Sequence, residues 1–255
     1  GIRLTRGDAL PWNATRWTTP TRTIITGVSP GNCIDRRPPY TGYPRVIACQ
    51  FDGRLSLARH AGIFHMYARA NLRYQAVSGG RYVQTTSSSH LEHGWRDWQL
   101  VHINGIDPNE VDIYFFAVQP NPVDEQSLVA IFPLTHPPAA CVMIAFSLDG
   151  ISFSRPVNLR SSVLGVRPAA TLGSKRGDQK RLEWRGEDHP AAGIVRMPND
   201  TSKLIFYVHH AVRGTTVRKS AIAHLRAYQL EASELRRLTH LALDQNNSWS
   251  PSNLA

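Results

Sequence analysis

The feature that most constrains the fold is the alternation of short β-type runs with turn residues along the chain. The sequence of 255 residues contains 18 Gly and 17 Pro, which separate runs rich in apolar and β-branched residues. Turn signals about every ten residues are typical of a sandwich, a barrel or a propeller. The predicted strands are 46–51, 55–58, 63–68, 82–86, 99–103, 111–118, 128–134, 141–146, 191–195, 204–209, 222–230 and 235–238.

Residues 221–238 are the only segment with a helical spacing of apolar residues. Leu225, Leu230, Leu235 and Leu238 fall on one face of a helix in this segment. Because the surrounding pattern is β, we interpret the segment as strands and keep the helix as the alternative.

The strands group into a repeated unit of four, and units open near Phe51, Val111 and Glu187. The openings are about 60 and 76 residues apart, and the basic loop at 175–181 accounts for the longer gap. Four strands per roughly 50 residues form one blade of a β-propeller. We therefore predict an all-β chain, a five-bladed β-propeller with four-stranded antiparallel blades in a single domain, 1–255. Recognisable blades cover about 48–104, 110–160 and 187–240, and residues 1–47 and 241–255 complete the ring.

Two motifs carry a resemblance to a known group of enzymes. The first reads Gly62-Ile63-Phe64-His65-Met66-Tyr67, and the second reads Ser147-Leu148-Asp149-Gly150-Ile151-Ser152-Phe153. Together they resemble the five-bladed propeller glycosidases of the arabinanase, levansucrase and invertase kind. In the second motif, Asp-Gly suits a turn with positive φ, and the aromatic residue after it is expected to pack between blades.

The resemblance implies that acidic residues at the first strand of each blade line a central funnel. Asp52, Asp112, Glu187 and Asp188 stand at the openings of the three units. Glycoside hydrolysis needs two carboxylates that flank the scissile bond. The resemblance thus implies that Asp52 is base or nucleophile, that Asp112 positions water or stabilises the oxocarbenium ion, and that Glu187 or Asp188 is the proton donor. The alternatives are a turn at Asp52-Gly53 and a solvated strand cap at Asp112.

A second group of residues is predicted to bind substrate. Arg54 and Arg69 suit a carboxylate or sulfate on a sugar, with salt bridges to neighbouring acids as the alternative. Tyr67 is predicted to stack on a sugar, as are Trp95, Trp98 and Trp184, for which core packing is the favoured alternative. His189 and His209 complete the substrate-binding set. No cofactor and no catalytic metal are predicted, and a structural cation in the central channel remains an alternative.

The charge balance bears on the partner. Lys and Arg number 29 against 19 Asp and Glu, which gives a net charge of +10. This excess suggests an anionic partner, for which the alternative is an arginine-rich surface without a specific role. Nucleic acid is not favoured, because the basic residues are not concentrated in one block. No apolar run reaches the roughly 18 residues of a membrane span.

Cysteines and sequons bear on the compartment. Cys33, Cys49 and Cys141 allow at most one disulfide and contain no C-x-x-C motif. N-glycosylation sequons begin at Asn13, Asn199 and Asn246. The first residue is Gly, and no signal segment follows it. We expect a processed, secreted or extracellular glycoprotein.

Two functions follow from these observations. The first is a glycoside hydrolase that acts on a polysaccharide through paired carboxylates in the funnel. The second is a non-catalytic propeller that binds a glycan or a protein, including as a subunit of a larger assembly. The absence of the R-D-P and E-C motifs of the resembled enzymes favours the second function.

Overall fold

The chain forms mostly β-strands with one helix in the computed structural model. This structure describes residues 2–3, 23–25, 55–71, 81–108, 111–136, 139–159, 187–191, 193–212 and 224–247. The mostly β fold class is confirmed, whereas the number of blades and the closure of a ring stay predictions. The predicted strand at 46–51 lies outside the described residues, as do Cys33, Cys49 and the basic loop at 175–181.

The strands, in chain order, have the following bounds. They are β1 Ile2–Arg3, β2 Thr23–Ile25, β3 Ser56–His60, β4 Ile63–Asn71, β5 Arg81–Ser88, β6 Gln99–Leu100, β7 His102–Ile103, β8 Asp112–Ile113, β9 Ala117–Asn121, β10 Asp124–His136, β11 Ala139–Ser147, β12 Ser152–Phe153, β13 Val157–Asn158, β14 Glu187–Pro190, β15 Val195–Met197, β16 Asp200–Val212 and β17 His224–Glu231. The helix α1 spans Ala232–Asn247.

The first sheet has the order β3-β4-β5-β6, and all of its pairs are antiparallel. A two-residue turn joins β3 to β4, because His60 pairs with Ile63. Both turn residues have positive φ, 47° at Ala61 and 81° at Gly62. Positive φ at both central positions matches the right-handed twist of the flanking strands, which explains the tight hairpin.

The second and third sheets share one arrangement. In the second sheet, β8 and β9 pair with successive parts of the long strand β10, and β11 and β13 follow on the other side. In the third sheet, β14 and β15 pair with successive parts of β16, and β17 lies on its other side. We call β3, the broken pair β8 and β9, and the broken pair β14 and β15 the first strands of their sheets.

The second sheet lies between the other two, and the two faces of β10 show this directly. Leu128, Ala130 and Phe132 belong to a core shared with the first sheet, whereas Val129 and Ile131 belong to a core shared with the third sheet and α1. The alternation follows from the two-residue period of a strand. Each fully buried side chain of this size stabilises the fold by about 1.5–3 kcal/mol.

The Ser147–Phe153 turn links the second sheet to β7, which follows the first sheet in the chain. Strand β12 pairs in parallel with β7, so that Ser152 lies opposite His102 and Phe153 lies opposite Ile103. The Phe153 side chain is buried, with its ring 5.0 Å from that of Phe116. The aromatic residue of the motif therefore packs between sheets, as the sequence predicts.

The predicted strand at 235–238 is wrong, because these residues belong to α1. Leu235, Leu238 and Ala242 recur at helical spacing and are buried in the second core. Residues 241–247, which are predicted to help complete the ring, also belong to this helix. Its first turn contains Glu234, which forms an ion pair with Arg237 one turn later.

The predicted strand at 191–195 is also displaced, since the strands lie at Glu187–Pro190 and Val195–Met197. The backbone of Ile194 instead bonds to the side chain of Gln119. Likewise, the predicted strand 111–118 is interrupted at residues 114–116. In the described part of the chain, no helix is long and apolar enough to span a membrane.

Candidate functional site

The candidate site lies where the first strands of the three sheets approach one another. Ser56 of β3 links the first two sheets. Its hydroxyl donates to the carbonyl oxygen of Val118 at 2.8 Å and accepts from the amide nitrogen of the same residue at 2.7 Å. One side chain thus satisfies both backbone groups of Val118, as a neighbouring strand would.

Gln119 makes the equivalent link between the second and third sheets. Its Nε2 donates to the carbonyl oxygen of Ile194, and its Oε1 accepts from the amide nitrogen of Ile194, both at 2.7 Å. A Cβ on Gly193 would lie 1.6 Å from this Oε1. Glycine at 193 is therefore required for the side chain of Gln119 to reach its partner.

The linked first strands surround a cavity of about 410 Å³. All three sheets contribute to its wall. The lining residues are Leu55, Ser56, Leu57, Phe116, Ala117, Val118, Gln119, Ala191 and Gly193. The first strands therefore converge on one space.

The acidic residues predicted from the sequence stand at the N-terminal ends of these first strands. Asp112 begins β8, and Glu187 and Asp188 begin β14. Asp112 lies six residues before Val118, whose backbone is bonded by Ser56. Asp188 likewise lies six residues before Ile194, whose backbone is bonded by Gln119. The two aspartates therefore occupy equivalent positions in neighbouring first strands. Asp52 and Arg54 lie outside the described residues.

An aromatic and cationic cluster lies at the same ends of the first strands. The ring of Tyr114 stacks on that of His189, with centroids 5.2 Å apart, and Phe115 meets His189 edge-on at 5.5 Å. The guanidinium carbons of Arg69 and Arg81 lie 4.7 Å and 4.8 Å from the ring centroid of Tyr114. We call these five residues the Tyr114 cluster. It brings together β4, β5, the break after β8, and β14.

Tyr67 is fully buried, so a sugar cannot reach its ring in this structure. Its hydroxyl donates to the carbonyl oxygen of Gly150 at 2.9 Å, and its ring lies 6.0 Å from that of Phe116. Burial, with the nearby charge of Asp149 as a smaller cause, raises the pKa of the Tyr67 hydroxyl. The predicted sugar contact of Tyr67 is therefore corrected to packing between the first two sheets.

The other predicted binding residues differ in exposure. His189 is buried in the Tyr114 cluster, and Arg69 is also buried there. His209 pairs with His189 across β14 and β16 but is exposed. Trp98 is buried, Trp95 is half-buried, and Trp184 lies outside the described residues. Among the described residues, no group of three or more His, Cys, Asp or Glu side chains is placed to hold a metal ion.

The turn of the second motif is held by its own aspartate. The Oδ1 of Asp149 accepts from the amide nitrogens of Ile151 and Ser152 at 2.8 Å and 2.7 Å. Burial opposes ionisation of Asp149, but these hydrogen bonds and one from Ser147 outweigh it and lower its pKa. The turn packs on His65, whose pKa is lowered by burial and by the neighbouring charges of His60 and Arg96, against an opposing effect of Asp149.

Sequence reasoning missed Ser56, Arg81, Tyr114 and Gln119. The run Tyr114-Phe115-Phe116 is a cluster of aromatic residues immediately after an acidic unit opening. That signal was available in the sequence. The partners of Ser56 and Gln119 lie 62 and 75 residues away, so no local pattern could have identified them.

Neither protein-family models nor curated proteins match the sequence. Among solved structures, the chain is similar to a fructofuranosidase from Schwanniomyces occidentalis in complex with fructosylnystose. The identity is 19%, the match covers 62% of this chain and 30% of that chain, and the TM-score is 0.40.

Two other glycosidases give similar values. A xylan β-1,4-xylosidase from Bacillus halodurans matches at 12% identity over 84% of this chain and 33% of its own, with a TM-score of 0.43. A family 117 glycoside hydrolase from Zobellia galactanivorans matches at 10% identity over 71% and 54%, with a TM-score of 0.38.

These solved structures belong to glycoside hydrolases, the class of protein that the two sequence motifs resemble. The chain spans about a third of the length of the fructofuranosidase and of the xylosidase. Because all three TM-scores lie below 0.5, no residue role and no substrate are transferred from these proteins.

Proposed function

We propose that the chain is a glycoside hydrolase that cleaves a polysaccharide at the N-terminal ends of its first strands. The observation that carries this proposal is the equivalent placement of Asp112 and Asp188 in neighbouring first strands. Each stands within two residues of the ring pair Tyr114 and His189, whose centroids are 5.2 Å apart. Two carboxylates near one point are the minimum that glycoside hydrolysis needs.

The proposed roles follow from the chemistry of the reaction. Glu187 or Asp188 protonates the leaving oxygen, Asp52 attacks the anomeric carbon or activates water, and Asp112 positions that water or stabilises the oxocarbenium ion. The buried rings of Phe115 and His189 exclude water from one side of the site, which strengthens electrostatic effects there. No cofactor is part of the proposal.

The proposed architecture is a five-bladed propeller in which residues 1–47 help to complete the ring. One observation favours a further sheet packed against the third. The face of the third sheet that points away from the second exposes Val195, Tyr207 and Leu225. Apolar residues grouped on one sheet face are typical of a surface that another layer covers. We further propose a secreted glycoprotein, for which the sequon at Asn199 lies in an exposed turn.

The test is hydrolysis of a panel of neutral and acidic polysaccharides by the whole chain and by four variants. The variants are Asp52→Asn, Asp112→Asn, Glu187→Gln and Asp188→Asn. We expect loss of the proton donor to lower kcat by about 100-fold or more on substrates with poor leaving groups. Substrates with an activated leaving group should lose less, because they need little protonation.

Asp97→Asn and Glu125→Gln serve as matched controls, because both side chains are exposed and neither residue lies at the N-terminal end of a first strand. They should retain wild-type kcat. Full activity of both Glu187→Gln and Asp188→Asn would contradict the donor assignment. Binding of a glycan without hydrolysis of any substrate would favour the second candidate function, a non-catalytic propeller.

A further inference from the structure

Arg69 and Arg81 lie on the same face of the first sheet. Arg69 in β4 pairs with Val83 in β5, and Arg81 lies two residues before Val83. Side chains two residues apart on a strand point to the same face, so the two arginines are diagonal neighbours. Both guanidinium groups then meet the single ring of Tyr114, at 4.7 Å and 4.8 Å from its centroid.

Both positive charges therefore lie against the same ring, one on a buried and one on a half-buried side chain. Since both guanidinium carbons lie within 5 Å of one centroid, they are at most about 10 Å apart. Arg69 is 9% exposed, whereas Arg81 is half-buried and Tyr114 is 37% exposed. A charged group from solvent can therefore approach this pair from the side of Arg81 and Tyr114.

We propose that Arg69 and Arg81 form a subsite for the anionic group of an acidic polysaccharide, either the carboxylate of a uronate or a sulfate ester. A guanidinium binds both groups through paired N–H donors, which gives direction as well as charge. This inference rests on the proposed function, because the subsite lies at the same strand ends as the acidic residues. It specifies the substrate class of that site.

The nearby acidic residues explain why such a pair is useful. Asp112, Glu187 and Asp188 begin the adjacent first strands, and those of their carboxyl groups that are ionised repel an anionic substrate. Two arginines beside these strand ends offset that repulsion and orient the sugar that carries the charge. A neutral substrate has no group to make this contact.

The experiment measures binding by calorimetry, which needs no turnover. The probes are oligogalacturonate, its fully methyl-esterified form, a sulfated galactan oligosaccharide and its desulfated form, so that each pair differs only in charge. The whole chain is compared with Arg81→Gln, which removes the charge. It is also compared with Arg81→Lys, which keeps the charge but lacks the planar guanidinium group. We expect Arg81→Gln to weaken binding of at least one anionic probe by about tenfold or more, and Arg81→Lys by less. The esterified and desulfated forms should bind weakly and equally to all variants.

Arg59→Gln is the matched control, because the guanidinium of Arg59 also lies over an aromatic ring, 5.3 Å from the centroid of Phe64. It removes the same charge at the hairpin end of the sheet, away from the Tyr114 cluster. Equal weakening by Arg59→Gln and Arg81→Gln would overturn the subsite, since it would indicate an effect of net charge alone. Binding of the neutral forms as tightly as the anionic forms would overturn it as well.

The two proposals fail in different ways. Selective anion binding without hydrolysis would support the subsite and contradict the proposed hydrolase activity. A different outcome is hydrolysis of neutral polysaccharides, with Arg81→Gln lowering kcat on neutral and acidic substrates alike. This outcome would support the proposed hydrolase activity. It would overturn the subsite, because Arg81 would then act within the protein on the acidic residues.

Discussion

At the scale of single residues, the second motif is the best-understood part of the chain. Its sequence predicts the turn and the positive φ of Gly150, because each depends on neighbouring residues only. The surface on which the turn packs was not predictable, since Tyr67 and His65 lie more than 80 residues away in sequence. For the same reason, Tyr67 was assigned to a sugar rather than to the core.

Gly150→Ala should destabilise the fold through two separate effects. A Cβ at this position would lie 2.5 Å from Nδ1 of His65, and the residue has a φ of 75°. Positive φ costs an alanine about 1–2 kcal/mol, and overpacking adds about 1–3 kcal/mol. We therefore expect the free energy of unfolding in urea to fall by about 2–5 kcal/mol.

Gly62→Ala separates the two effects. Gly62 has a similar φ of 81°, but a Cβ there meets no atom within 4 Å. This variant should lose only the backbone contribution, about 1–2 kcal/mol. Equal destabilisation by both variants would mean that the turn does not pack on His65 as described.

At the scale of elements, most strands follow from the sequence, and the exceptions have a physical cause. The strands β4, β5, β10, β11, β16 and β17 lie where the periodicity predicts them, because each pairs with a neighbour along its length. The segment at Ile194 is not a strand, since the side chain of Gln119 takes the place of a neighbouring strand at this residue. From the sequence, a helix at α1 is only the alternative to strands, because its buried Leu235 and Leu238 follow directly on the strand β17.

Gln119→Ala should weaken the connection between the second and third sheets. The substitution removes two hydrogen bonds and leaves both backbone groups of Ile194 without this partner. An unsatisfied, partly buried backbone group costs about 1–3 kcal/mol, so the loss of both partners should lower the free energy of unfolding by about 2–6 kcal/mol. If Gln119 also spaces the first strands, kcat should fall while KM changes little.

Gln126→Ala is the control for this variant, because Gln126 is exposed and its side chain does not contribute to the links between sheets. It should unfold at the wild-type urea concentration. Gln119→Glu is a second comparison, since it retains the acceptor for the amide of Ile194 but loses the donor. Wild-type stability of Gln119→Ala would contradict the role of this link.

At the scale of the whole molecule, three antiparallel sheets follow one another in space, and their first strands surround one cavity. The sequence predicts acidic residues at the unit openings, and the equivalent positions of Asp112 and Asp188 agree with that pattern. The Tyr114 cluster could not be predicted as a unit. It joins residues of three sheets, and their meeting depends on how the sheets pack.

The most direct test of this account is a crystal structure that measures the distances between the carboxyl groups of Asp52, Asp112, Glu187 and Asp188. We expect Asp112 and one carboxyl group of β14 to lie about 5–10 Å apart, facing shared solvent at the first-strand ends. A separation of about 5 Å between Asp52 and the proton donor, Glu187 or Asp188, would indicate retention of configuration, and a wider one of about 6.5–9.5 Å would indicate inversion. Carboxyl groups that point outward from the first strands, or that are all paired with arginines, would contradict the proposed hydrolase.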